Sequence, residues 1–368
     1  MTRPTVELRP AHEPPGHRHR PWADALLRPQ FLALAAVLLV NWMLFPGFFT
    51  ITWQDGRLFG SLIDVLNRGA PVAILAIGMT AVIATKGVDL SVGAVMAIAG
   101  AVAASMVVAG WPAGLAVLAA LAVGLVCGLW NGVLVTVLQI QPIIATLVLM
   151  VAGRGLAQLV TEGSIVTFSD PLLIFIGTGS VLGLPTPVVI ALSLMLCATL
   201  LVRRTALGLL IEAVGVNRSA ARFAGIRASA LLLLVYAFAG LCAAIAGLIV
   251  TGDIRGADAN NAGLWLELDA ILAVVIGGTS LLGGRFSIPM SVVGAMIIQA
   301  MNTGILISGF SPEFNLVVKS GVIIVILVLQ SPMAASILQK RRIKTTFAFI
   351  RCLCDLPGQQ GMETETRL

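Results

Sequence analysis

The sequence predicts an all-α polytopic membrane protein with about ten transmembrane helices and both termini in the cytoplasm. Three observations predict it. Hydrophobic residues make up 58% of the chain and charged residues only 11%, where a soluble domain carries roughly a quarter charged. Apolar stretches of about 20 residues recur, and backbone in lipid must satisfy its own hydrogen bonds, so they read as helices. Basic residues crowd into the two tails and one internal loop, the pattern of cytoplasmic anchoring.

In chain order, residues 1–28 form a basic cytoplasmic tail holding Arg3, Arg9, Arg18, Arg20 and Arg28. No small-residue cleavage site follows the next apolar run, so no removable signal peptide is expected. His12, His17 and His19 all lie in this tail, which leaves the membrane part without imidazole for haem, metal or a proton relay. The transmembrane domain is expected over 29–332, with spans near 30–48, 67–85, 90–109, 114–137, 142–160, 186–202, 229–251, 266–282, 288–308 and 314–332. A cytoplasmic tail, 333–368, follows.

A cytoplasmic N-terminus places Lys86, the 203–227 loop, Arg285 and the Lys340–Lys344 cluster inside, obeying the positive-inside rule throughout. The outer loops then carry Asp55, Asp64, Glu162, Asp170, Asp253 and Asp258. The 38 glycines favour close helix packing. A faint echo pairs 82–94 with 275–295, each a helix, a Gly/Ser break and another helix; chance and a duplicated transporter fold explain it equally well.

Composition and motifs exclude several chemistries. Cys127, Cys197 and Cys242 sit in apolar runs, and with Cys352 and Cys354 they form neither a disulfide framework nor a zinc site. The stretch Gly277–Gly284 lacks the lysine of a phosphate-binding loop. No nucleophile-and-base set occurs, so the chain is not expected to be an enzyme.

Asp89 is the carboxylate that stands out, because a charge in a span is costly and usually faces protein or water. Two readings fit it: a junction lining or gating a pathway, or a cap on the third helix. The 203–227 loop reads as a short amphipathic helix, either lying on the membrane surface or docking a partner. The outer segment 251–263 is polar and turn-rich; it receives a partner or is a solvated loop. Uncharged polar residues within spans include Thr80, Ser91, Asn131, Gln158, Gln299, Asn302 and Thr303, with Trp130 as a stacking face. They suit an uncharged polar pathway, or hydrogen bonds between helices.

From about Asp55 to Gln330 the chain resembles the ribose/galactose-type sugar permeases of bacterial ABC importers. Gly87-Val88-Asp89-Leu90-Ser91-Val92-Gly93, Gly128-Leu129-Trp130-Asn131-Gly132 and Glu212-Ala213-Val214-Gly215-Val216-Asn217 carry the resemblance. The run Asp253 to Asn261 is similar to the galactofuranose branch of that family. Lys86 departs from it, standing where the family usually has glycine.

The resemblance implies a permease subunit that moves a monosaccharide, galactofuranose or a related sugar, inward across the bacterial inner membrane. Glu212, Ala213, Gly215, Asn217, Arg218 and Gly225 would then contact the ATPase. Asp89, Ser91, Trp130, Asn131, Gln299, Asn302 and Thr303 would line or gate the pathway. Asp253, Arg255, Asp258, Asn260 and Asn261 would dock a periplasmic sugar-binding protein. The chain would bind no cofactor, ATP and Mg being used by partner ATPase subunits, and would pair with a second permease subunit, either a sister, which the resemblance favours, or an identical copy. The competing expectation is an ion-coupled secondary sugar transporter with Asp89 as its titrating site.

Overall fold

A computed structural model describes residues 29–45, 47–54, 56–309, 314, 316–321 and 324. The chain divides into two compact units, Met1–Thr303 and Gly304–Leu368. In the second, the described residues finish the last long helix and add helical residues between 314 and 324. Both tails, and most of the expected span 314–332, lie outside the described residues.

The first unit is mostly helical: α1 (Pro29–Leu44), α2 (Ser61–Ala84), α3 (Val92–Val108), α4 (Ala113–Thr136), α5 (Pro142–Val160), α6 (Pro171–Thr178), α7 (Thr186–Arg204), α8 (Leu207–Val216), α9 (Arg218–Phe223), α10 (Ala228–Asp253), α11 (Leu266–Ile276) and α12 (Ile288–Ile307). Among the described residues α2, α4, α5, α7, α10 and α12 are long and apolar enough to cross a membrane. Helix starts follow local chemistry. Pro142 and Pro171 open α5 and α6, where a missing N–H costs nothing, and Asp170 caps α6 by accepting from Leu172 N and Leu173 N at 2.9 and 3.1 Å.

Two expectations are corrected. The span 266–282 stops at Ile276, where Gly277 and then Gly278, at φ 88°, turn the chain out of the helix. Eleven residues make a rod of about 17 Å, half a bilayer core of about 30 Å. The single helix expected over 203–227 is two, α8 and α9, parted at Asn217, whose extended backbone breaks the run. Its Oδ1 accepts from Ser219 N and Ala220 N at 3.1 and 3.0 Å, starting α9. Helix α2 also begins six residues before the expected 67.

α2 and α10 form the centre, with most of their residues buried. Glycines set the approach of α10 to α4: a Cβ at Gly240 would meet the backbone of Gly124 and Gly128, and one at Gly128 would meet the backbone of Tyr236 and Ala237. Such small-residue faces let helix backbones touch. Short antiparallel ladders join the connections at one end: β1 (Thr52–Gln54) with β2 (Arg57–Phe59), β3 (Val166–Thr167) with β6 (Gly256–Ala257), and β4 (Ser180–Val181) with β5 (Leu184–Pro185). The alternating helices carry Lys86, α8, α9 and Arg285 to the other end.

Candidate translocation site

The break between α2 and α3 is where Asp89 sits. Helix α2 ends in a Schellman turn, with Lys86 N donating to Ile83 O at 2.9 Å and Gly87 N to Val82 O at 3.0 Å. Lys86 takes the left-handed position, φ 64°, that glycine normally occupies. Its Nζ reaches Val216 O, the last carbonyl of α8, at 3.0 Å.

Asp89 is buried but is not the cap of α3, which Ser91 precedes with no side-chain cap bond. Its Oδ1 accepts from Ser91 N at 2.9 Å and Ser91 Oγ at 2.6 Å, with Asn131 Nδ2 of α4 at 3.5 Å. Asn131 Nδ2 also donates to Ser91 Oγ at 2.8 Å. On the other side Leu90 N donates to Thr146 Oγ1 of α5 at 3.2 Å. The junction is therefore clamped between α4 and α5. Asn131 Oδ1 and the hydroxyl of Tyr236, both buried, have no partner among the described residues. Gly87 makes room for that hydroxyl, which a Cβ would approach to 2.6 Å.

The expected pathway set does not come together as one group. Asp89, Ser91 and Asn131 share the network above, whereas Gln299, Asn302 and Thr303 lie on α12, with Gln299 Nε2 donating to Thr303 Oγ1 at 3.5 Å. Trp130 is 53% exposed, its position turned about 100° around α4 from that of buried Asn131. Thr80 spends its hydroxyl on Ala76 O at 2.5 Å within α2.

The segment after α10 folds back into the unit. Gly247 lies against the Met96 backbone and Gly100 against Thr251, so α3 and α10 run parallel, and the backbones of Gly93 and Gly263 touch. By that register Gly263 stands about 14 Å inside the end of α10. Arg154 of α5 holds the turn by donating to Ala259 O at 3.2 Å and Ala262 O at 2.5 Å. Gln158 Nε2, one turn on, donates to Asn260 Oδ1 at 2.7 Å. Asp258 nucleates the turn: Oδ1 accepts from Asn260 N and Asn261 N at 3.0 and 3.2 Å, and Oδ2 from Asn261 Nδ2 at 2.7 Å. These bonds, the Asn261 amide foremost, hold its carboxyl below the ordinary aspartate range, helped by Arg154. Asp253 and Arg255 sit nearer the ladder end, where they line a shared recess with Asn67 and Arg57. Arg154 is the residue that the sequence reading passed over, although a cation inside an apolar run was its signal.

At the other end α8 and α9 present Leu209, Val216 and Phe223, the last 93% exposed. Glu212 is half-buried, in a groove with Arg203, Leu209 and Phe286. Gly215 is pressed against the carbonyl of Ala84, while Ala213, Asn217 and Gly225 lie along the same two helices and the turn after them. Arg218 points inward; its Nε and Nη2 are buried with no partner among the described residues. Burial lowers its pKa from the ordinary guanidinium value.

Among the described residues six helices are long and apolar enough to cross a membrane, and they stand with a half-length helix and buried polar junctions, an architecture that fits a membrane permease. Residues 61–327 match the family described as "Branched-chain amino acid transport system / permease component", and the chain belongs to that family. It is 62% identical over 311 residues to the Galactofuranose transporter permease protein YtfT of Escherichia coli (strain K12), covering 84% of this chain and 91% of that protein. It is 45% identical to the Fructose import permease protein FruF of Bifidobacterium longum (strain NCC 2705), over 81% of this chain and 86% of that one. Against the Ribose import permease protein RbsC of Escherichia coli (strain K12) the identity is 39%, over 84% and 95%. No solved structure matches the chain.

Proposed function

We propose that this chain is the permease subunit of an ATP-binding-cassette importer that carries a monosaccharide, galactofuranose or a related sugar, inward across the bacterial inner membrane. The observation that carries the reading is the 62% identity to a galactofuranose transporter permease over nearly the whole of that protein. Relatives named for fructose and ribose import support the broader sugar class.

In this reading the membrane domain has ten helices, and both termini, Lys86, α8, α9 and Arg285 face the cytoplasm, as the positive-inside rule requires. Glu212 and exposed Phe223 lie on the surface that meets the ATPase subunits, which bind ATP and Mg and hydrolyse the nucleotide. A periplasmic sugar-binding protein delivers the sugar to the ladder end, near Asp253 and Arg255. A sister permease subunit completes the pathway.

The test is uptake of radiolabelled galactofuranose by proteoliposomes containing the permease pair, with the ATPase, binding protein and ATP supplied or withheld. The expected result is uptake that needs all three. Uptake by the permease alone, driven by an ion gradient and abolished by an ionophore, would overturn the reading.

A further inference from the structure

We propose that a polar cavity between α2, α6, α10, α11 and α12 is a binding site for one neutral sugar ring inside the permease subunit. The proposal rests on the sugar-importer reading and adds to it a site within a single subunit.

The cavity measures about 240 Å³, room for roughly eight water molecules at ~30 Å³ each and hence for a single sugar ring. Its polar wall is Asn67, Arg68, Asp253, Asp269, Gln299 and Asn302. Pro71, Val72 and Ile249 provide an apolar wall for the C–H face of a ring. Planar amide, carboxylate and guanidinium groups offer paired donors and acceptors, which match vicinal hydroxyls.

Two acceptors in that wall are unmet. Asn302 is only 9% exposed, and its Oδ1 has no partner among the described residues; the buried Oδ1 of Asn67 has none either. An unpaired buried acceptor costs about 1–3 kcal/mol, so each amide gains from a small rotation that turns its Oδ1 toward a hydroxyl donor in the cavity. Hydroxyls supply such donors without bringing charge. A zwitterionic amino acid fits less well, because Arg68 and Asp253, the charges it would need, already attract each other.

A second recess of about 330 Å³ lies at the ladder end; Asn67 and Asp253 line both it and the cavity, and Arg57, Asp64 and Arg255 complete its polar wall. Asn67 and Asp253 are therefore the wall that the two spaces share.

The test uses the complete transporter in proteoliposomes, comparing wild type with Asn302→Leu, which keeps volume but removes the amide, and with Asn302→Asp, which keeps an acceptor. Binding-protein-stimulated ATP turnover, thermal midpoint and sugar carried per ATP are measured together. Expected for Asn302→Leu is ATP turnover within about twofold of wild type and sugar per ATP at least about tenfold lower, the cost of one lost ~1.4 kcal/mol interaction, with Asn302→Asp close to wild type. Equal sugar per ATP in Asn302→Leu would overturn the site while leaving the importer reading intact. Absence of any sugar uptake in wild type counts against the importer reading instead. Should Asn302→Leu unfold, the wild-type chain in lipid decides: galactose is expected to raise its thermal midpoint and L-leucine to leave it unchanged. A leucine shift without a galactose shift, or no shift with either, would overturn the proposal.

Discussion

At the residue scale the Asp89 junction makes the sharpest stability prediction. Asp89→Leu leaves the amide and hydroxyl of Ser91 and the Asn131 amide without their shared acceptor, so a loss of about 1–3 kcal/mol is expected. Asp89→Asn retains an oxygen and should lose less. Thermal unfolding in detergent ranks the two; equal midpoints would mean that the network contributes nothing. Lys86 gives an opposite expectation. Its left-handed backbone costs roughly 1–2 kcal/mol, while its bond to Val216 O is solvent-exposed and contributes about 1 kcal/mol. Lys86→Gly should therefore melt no lower than wild type, and a clear drop would show that the tether outweighs the backbone. The Asp89 carboxylate was legible in the sequence as a charge at the edge of an apolar run. That its oxygen would serve Ser91 and Asn131 rather than the first turn of α3 was not, because the choice depends on α4 arriving from 42 residues away.

Among elements, the returning 258–263 turn is held by hydrogen bonds to a depressed carboxylate, which fixes the sign of its pH response. Asp258 titrates below its unfolded value, so its stabilisation is complete above the ordinary aspartate pKa of about 3.9 and is lost as pH falls through the lower folded value. Hydrogen exchange at the Asn260 and Asn261 amides should be flat from neutral pH down to about 5, once the intrinsic rate is removed. Protection should fall only below about 4; a fall near neutrality would sink the assignment. The α4–α10 seam is set by glycine contact instead. Gly240→Leu places side chain where the Gly124 and Gly128 backbones lie, and overpacking of this kind costs about 1–3 kcal/mol or more. Melting of that variant at the wild-type temperature would show that the helices can part. Most spanning helices were legible from hydropathy, α5 to the residue, because lipid imposes length and apolarity together. The half-helix α11 was not, since Leu281 and Leu282 kept the apolar window high past the Gly277–Gly278 break.

On the scale of the whole molecule, three segments distant in sequence converge at one point: Gly215 presses on the Ala84 carbonyl, Gly284 N donates to that same carbonyl at 3.0 Å, and Gly283 packs against Lys86. The end of α8, the end of α2 and the loop after α11 thus share one contact. Asp89 lies five residues beyond Ala84, so on the proposed function a push on α8 has a short backbone path to the clamped junction. Nothing in the sequence shows which glycines meet, because the 38 of them look alike until the helices are packed. A ligand or partner shifts a conformational equilibrium only through its differential affinity for the two states, and on the proposed function that difference is delivered at α8. Gly215→Ala adds a Cβ that would stand well inside van der Waals distance of the Ala84 carbonyl oxygen, so the contact must open by about an ångström or more, while Phe223 lies outside it. The expected outcome in the reconstituted importer is wild-type ATPase binding and ATP turnover, with sugar carried per ATP reduced at least about tenfold, equivalent to ~1.4 kcal/mol of lost coupling. Reduced ATPase binding in parallel with uptake would place the defect in docking instead. Unchanged sugar per ATP would show that the push on α8 reaches the pathway by some route other than this contact.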